Sequence, residues 1–393
     1  MLLLVATWGG IRAGVIEDFV SSKAINAPQA SVLVVDLGNG KRIAEHNASL
    51  PLIPASIMKS VTVAGLLEAT GPDRRYHTEV SRTGDLSDGA IHGNLVIKGS
   101  GDPSLNSKYI DDVPDICQEI AYTLKTIGVE RIEGEIEIDE SVFSEPAAPP
   151  SWSPGDLAQS YGTGQHGLNF EDNASGRSSV KNPSEVFRRR LISSLSAHGI
   201  RVEGKEMPSE RRYRIFTHES APYDEIMRSC MMRSDNQYAE SMLRTLAVAK
   251  GEAGSTANGA RVNSEYWKRR KAPMKGVEIV DGSGLSRSNR VTADFMAYVL
   301  ESMSHNPYYA SFFPLAGQEG TLRNFLAGTP LEGYIAMKTG SMNGIQCYAG
   351  YKLDEDYVPT HVVVVMLNGM ANRSAARQEV AKMLLEIFKD ENE

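Results

Sequence analysis

The chain has 393 residues, which at roughly 150 residues per domain is enough for two or three cores. Its 41% hydrophobic and 23% charged residues are those of a folded, water-soluble body and exclude extensive disorder, collagen-like repeats and long coiled coil. Forty-one Lys and Arg against 49 Asp and Glu leave a formal charge of −8, without any block of basic residues able to neutralise phosphates, so no nucleic acid partner is expected.

The N-terminus, MLLLVATWGGIRAG, resembles the end of a secretory signal's apolar region but lacks the basic stretch before it, so residues 1–20 are expected to be a trimmed signal or N-terminal segment. The longest apolar runs, Leu2 to Ala6 and Val362 to Leu367, fall far below the roughly 20 residues a bilayer requires, and no transmembrane segment is expected. From Ala30 to Asn47, two alternating runs flank Gly38-Asn39-Gly40, a hairpin signal because Gly and Asn accept the positive φ of a tight turn. After Pro51 and Pro54, apolar residues at Ile57, Met58, Val61, Leu66 and Leu67 recur with helical spacing until Gly71-Pro72, which predicts a buried helix opening near Ser56. Residues 71–213 then change texture to short alternating runs punctuated by Gly and Asp, with helical stretches near 115–127 and 184–197. This stretch is expected to be an inserted, mostly β domain built on small antiparallel sheet. Helix is expected again from Asp235, then strands near 334–337, 344–353 and 360–367 and a closing helix over 375–389. Strands from both chain ends with flanking helices predict an α+β fold in which residues 21–70 and 214–393 assemble one antiparallel sheet.

Three strings carry chemistry: Ser56-Ile57-Met58-Lys59, Ser234-Asp235-Asn236 and Lys338-Thr339-Gly340. Each alone is weak, since another Ser-x-x-Lys stands at Ser178 to Lys181 and further Ser-x-Asn triplets occur at Ser104 to Asn106 and Ser341 to Asn343. Context distinguishes them. Ser56 and Lys59 lie one turn apart on one helix face, Ser234 to Asn236 precede a helix, and Lys338 to Gly340 end a strand. A serine hydroxyl needs a partner to take its proton, and a lysine serves only when neutral, a state that burial and a second cation such as Lys338 favour. Ser56 is therefore expected as nucleophile and Lys59 as general base. The backbone N–H groups of Ser56 and Ser341 are expected to hold the oxyanion, Ser234 to relay a proton to the leaving amine, and Asn236 to contact the substrate amide. Lys338, with the Thr339 and Ser341 hydroxyls, would grip a terminal carboxylate, and Gly340 would let the substrate backbone approach. Asp102 and Asp281, each beside glycines, are expected as turn-formers. Cys117, Cys230 and Cys347 are too widely spaced for a disulfide framework and are expected to be buried thiols. The eight histidines contain no metal-binding pair, so neither metal nor cofactor is expected.

This motif set is that of penicillin-binding proteins and class A β-lactamases. With KGSGDPSL (98–105), YGTGQHGLNFEDN (161–173) and VDGSGLSRSN (280–289), the chain resembles the S13 serine D-Ala-D-Ala carboxypeptidases. These are low-molecular-mass class C penicillin-binding proteins of the penicillin-binding protein 4 type. The resemblance implies a β-lactamase/transpeptidase-like catalytic domain. It also implies removal of the terminal D-Ala from peptidoglycan stem peptides, endopeptidase cutting of cross-links, covalent acylation by β-lactam antibiotics and an exported, periplasmic or cell-envelope location. It further assigns Arg287 and Asn343 to recognition of the stem peptide's side chain; composition alone reads them equally as a surface Arg and a turn Asn. The 178 residues from Ser56 to Ser234 are fewer than in relatives with two nested inserts, so the innermost insert is expected to be missing or reduced. Two alternatives stand beside the peptidase: a serine β-lactamase, which shares the acylation apparatus but lacks a Glu-x-x-Leu-Asn string here, and a non-catalytic peptidoglycan-binding protein. A serine esterase of the α/β-hydrolase kind is a weaker reading still, since the sequence has no Gly-x-Ser-x-Gly elbow.

Overall fold

The computed structural model describes residues 14–144, 146–208 and 211–389. Among these, 14–69, 227–243 and 260–389 make one compact unit, and 70–226 with 244–259 make the other.

Residues 14–21 form helix α1, and Ile16 and Phe19 are buried in the first unit's core. Burial of this apolar face ties residues 14–20 of the expected signal remnant or N-terminal segment to the fold; residues 1–13 lie outside the described residues. Strands β1 (Ala30–Asp36) and β2 (Lys41–His46) form the expected hairpin. A single 3-10 turn, Ala55–Ile57, then leads into α2 (Met58–Thr70). Ser56 therefore sits in the turn before the α-helix and not in its first turn. Ten of α2's thirteen residues are buried, which is why its sequence is apolar nearly all round.

The second unit carries β3 (His77–Arg82), β4 (Leu95–Lys98), α3 (Ile116–Thr126), β5 (Ile136–Asp139), α4 (Pro183–Ala197) and β6 (Tyr213–Glu219). Its sheet of longer strands has the order β6-β3-β4-β5; its first two pairings are antiparallel, as expected for much of this stretch, and the last is parallel, so the sheet is mixed. A second four-stranded sheet is made of two-residue strands. Both helices start on side-chain caps, Asp115 accepting from the N–H of Cys117 and Gln118, and Asn182 from that of Glu185. Their apolar faces meet Val80, Ile97 and Phe170 in a core of its own. The unit runs on past the expected limit of residue 213 because β6 pairs with β3 over its whole length.

The chain continues through α5 (Tyr223–Arg233), α6 (Asn236–Ala249), α7 (Thr256–Arg269) and α8 (Ala293–Met303). It ends in β7 (Ile335–Met342), β8 (Ile345–Leu353), β9 (Pro359–Asn368) and α9 (Arg373–Ile387). The first unit's sheet is five-stranded and antiparallel in the order β7-β8-β9-β1-β2, uniting the two chain ends as expected. Strands β8 and β9 are almost wholly buried because helices cover both faces, so they read as continuous apolar runs instead of alternating ones. One face carries α1 and α9, and the other carries α8.

Candidate active site

Strand β7 is the edge of this sheet, and it runs straight through Lys338-Thr339-Gly340 to Met342 instead of ending there. The N–H of Met337 donates outward to Pro314 O at 3.2 Å, away from β8. Backbone groups alternate sides along a strand, so the N–H groups of Thr339 and Ser341 point to the same open edge. The turn bearing Ser56 packs against this strand. A Cβ on Gly340 would lie 2.6 Å from Pro54 O and 3.0 Å from Ser56 N, so only glycine allows the approach.

Ser56 Oγ and Lys59 Nζ are 2.9 Å apart. Lys59 is fully buried, and Nζ also donates to Asn236 Oδ1 at 2.6 Å and to Ser283 O at 2.7 Å. Two carbonyl oxygens thus take two N–H bonds, leaving the third direction aimed at the serine oxygen. Burial lowers the proton affinity of Lys59, while Cys230, Asp281, Asp235 and Glu240 act in the opposite sense. Lys338, also without exposure, is pushed well below its ordinary range, by burial first and by the charge of Lys59 second. The expectation was that Lys338 would help to lower Lys59; instead the groups acting on Lys59 besides burial are Cys230 and the three acids, and it is Lys59 whose charge lowers Lys338. Lys338 Nζ donates to Ser234 Oγ at 2.9 Å and to Thr339 O at 2.8 Å. Ser234 itself adopts a left-handed φ of 61°, an uncommon conformation for a side-chain-bearing residue.

The structure thus brings Ser56, Lys59, Ser234, Asn236, Lys338, Thr339, Gly340 and Ser341 to one place. Ser56, Ser234, Thr339 and Ser341 line a cleft of about 780 Å³ together with Thr321, Gln346, Arg373 and Arg377. Thr339 Oγ1 donates to Thr321 Oγ1 and Ser341 Oγ to Gln346 Oε1, both at 2.8 Å. Arg287 and Asn343 are exposed and joined to each other, Arg287 Nη2 donating to Asn343 O at 2.8 Å. The second Ser-x-x-Lys, at Ser178, stands in a short hairpin of the second unit.

Several supporting residues escaped sequence reasoning. Asp281 does form a turn, accepting from the N–H of Gly284 (2.8 Å) and Ser286 (2.6 Å) and from Asn289 Nδ2 (2.7 Å). The 283–284 peptide group it holds by the N–H is the one whose carbonyl accepts from Lys59. Glu240 on α6 steadies the same loop, accepting from the N–H of Gly282 and Ser283. Asn368 at the end of β9 bonds both backbone groups of Ile53, ahead of the Ser56 turn. Only the adjoining glycines around Asp281 gave any signal; Glu240 and Asn368 lie in ordinary helical and strand patterns.

The model of the family described as D-Ala-D-Ala carboxypeptidase 3 (S13) matches residues 13–178 and 169–387. A D-alanyl-D-alanine carboxypeptidase of Actinomadura sp. (strain R39) is 24% identical over 86% of this chain and 77% of its own length. The crystal structure of penicillin binding protein 4 from Haemophilus influenzae superposes with a TM-score of 0.81 at 20% identity, covering 96% of this chain and 99% of that one. A predatory endopeptidase from Bdellovibrio bacteriovorus, acylated by penicillin G, gives a TM-score of 0.57 at 17% identity over 91% and 90%.

Proposed function

Because the chain belongs to the D-Ala-D-Ala carboxypeptidase 3 (S13) family, we propose that it hydrolyses the D-Ala-D-Ala bond of peptidoglycan stem peptides through an acyl-enzyme on Ser56. The observation that carries this reading is the 2.9 Å contact between Ser56 Oγ and a buried Lys59 whose other N–H bonds are already taken. Ser56 Oγ bonds to the substrate carbonyl carbon as its proton passes to neutral Lys59. The carbonyl electron pair moves onto oxygen, where the N–H groups of Ser56 and Ser341 receive it. As the C–N bond breaks, the proton returns to the leaving nitrogen by way of Ser234, which Lys338 holds in place. Water then attacks the ester, giving its proton to Lys59, which passes it to Ser56 Oγ as the acyl–oxygen bond breaks, so the acid product and the free serine result. Lys338, Thr339 and Ser341 grip the terminal carboxylate, Gly340 keeps the strand close, and Asn236 contacts the substrate amide. Arg287 and Asn343, bonded to each other on the surface, recognise the stem peptide's side chain.

The same acylation makes β-lactam antibiotics covalent inhibitors, in line with the acylated Bdellovibrio relative. A peptidoglycan substrate places the protein outside the cytoplasmic membrane, in the periplasm or cell envelope. The test is intact-protein mass spectrometry after penicillin treatment, with peptide mapping. One long-lived adduct on Ser56, absent in Ser56→Ala together with peptide hydrolysis, is expected. Labelling that persists in Ser56→Ala moves the nucleophile elsewhere, and rapid repeated hydrolysis of a chromogenic cephalosporin makes the protein a β-lactamase instead.

A further inference from the structure

A carboxylate only accepts hydrogen bonds, so a hydroxyl that grips it must turn its hydrogen toward it. Both hydroxyls proposed for that task have their hydrogen engaged elsewhere: Thr339 Oγ1 donates to Thr321 Oγ1 and Ser341 Oγ to Gln346 Oε1, each at 2.8 Å. Gripping a substrate therefore requires both hydrogens to swing away from the protein. Were the acceptors left bare, each swing would forfeit a hydrogen bond in a partly enclosed place and offset much of what the new one contributes. Thr321 and Gln346 are residue types that escape this loss. A hydroxyl carries one hydrogen and two lone pairs, and a primary amide carries an acceptor on one arm and two donors on the other. When Thr339 turns its hydrogen to the substrate, Thr321 can turn its own toward Thr339 Oγ1. When Ser341 does the same, half a turn of the Gln346 amide presents Nε2 to Ser341 Oγ.

Nothing else holds these two side chains back. Among the described residues the Gln346 side chain bonds only Ser341 and the Thr321 hydroxyl only Thr339, so neither reversal breaks another hydrogen bond. Their backbone, by contrast, is fixed. Gln346 stands opposite Ser341 in the β7–β8 register and is 3% exposed. Thr321 lies in a 3-10 turn, Gly320–Leu322, whose last residue is buried in the first unit's core. A Cβ on Gly320 would come within 2.5 Å of Met232 O on α5, and Glu319, just ahead of the turn, accepts from Arg228 Nη2 at 3.1 Å. We infer that Thr321 and Gln346 are positioning residues of the carboxylate grip, each joined to a gripping hydroxyl by a hydrogen bond whose direction reverses when a carboxylate enters. This deepens the proposed function and rests on it. A negatively charged leaving group drives both reversals, whereas a neutral one of the same shape drives neither, so the pair sharpens the preference for a free carboxylate.

Two thioesters with the same acyl part ending in D-Ala test it. One releases mercaptoacetate and the other mercaptoacetamide, so the leaving groups differ only in the charge that meets the grip. The wild type should favour mercaptoacetate in kcat/KM. Thr321→Val keeps the shape and removes the hydroxyl, and Gln346→Met keeps the length and removes the amide. Each should lower that preference about tenfold, the weight of one hydrogen bond to a charged group. The loss should fall on KM for mercaptoacetate, while the mercaptoacetamide ester, which also reports that each variant is folded and acylating, stays within about twofold of wild type. Thr321→Ser, which keeps a reversible hydroxyl, should restore most of the preference. Variants that slow both thioesters alike, or that leave the preference unchanged, overturn the positioning role. A wild type that forms no penicillin adduct and cuts neither thioester overturns the proposed function itself, which separates the two failures.

Discussion

Lys59 and Lys338, two lysines without solvent exposure, govern the proton affinities of the cleft. Both are lowered chiefly by burial, which disfavours the charged amine. In the proposed reaction acylation needs Lys59 neutral, so its rate constant should rise with pH along a limb centred below the ordinary lysine value of about 10.4. A pH profile of penicillin acylation measures this, and a limb at or above that value contradicts the assignment. Lys59→Met should remove acylation at every pH. The same shifts carry a stability consequence with a definite sign. Between the lowered folded value and the ordinary unfolded one, the unfolded chain binds more protons than the folded chain, so stability rises with pH across that window. Urea midpoints should climb accordingly, and more shallowly in Lys338→Met. The residue types were legible in the sequence because a serine and a lysine one turn apart are meaningful together. What surrounds Lys59 was not, since Asp281, Asp235 and Glu240 are distant along the chain and gathered only by folding.

At the scale of elements, the site depends on an edge strand pressed against a turn. Gly340 is the contact point, and Gly340→Ala places a methyl 2.6 Å from Pro54 O. The contact is with backbone, so the Ser56 turn and the strand must move apart; this variant should stay folded by circular dichroism yet acylate at least about a hundredfold more slowly, as a misplacement of roughly 1 Å does. Asn368 performs a related task by bonding the N–H and C=O of Ile53. Asn368→Ala leaves both without their partner and should cost about 1–3 kcal/mol in denaturant unfolding. Helix α2 was predictable because apolar residues recur along it and Gly71-Pro72 stops it. The extent of β7 was misjudged because Lys-Thr-Gly-Ser lacks strand-forming apolar residues; Gly340 is there for close approach, a need that local propensity does not register. Helices α5 and α7 were not singled out, their polar faces diluting the apolar recurrence; α8 was missed although seven of its eleven residues are buried and apolar.

The whole molecule comprises two units with separate cores, and each site residue named above lies in the first. In the second, Phe187 meets Phe170 edge-to-face at a centroid distance of 5.3 Å, both buried. Phe187→Ala should therefore cost about 3–5 kcal/mol of the second unit's stability by calorimetry. Penicillin adduct formation, measured below the transition, should persist, and its loss would tie the acylating groups to the second core. The sequence by itself determined the α+β class, the strands contributed by both ends of the chain, the interrupting segment and the three motif strings, because these follow from periodicity and from side-chain chemistry read locally. Only the tertiary structure decided the return of residues 244–259 to the second unit, the Asp281 loop that holds Lys59, and the placing of Arg373 and Arg377 in the cleft that contains Ser56. Each of these is a meeting of segments tens to hundreds of residues apart, and such meetings are set by packing and strand pairing, which leave no mark on local sequence.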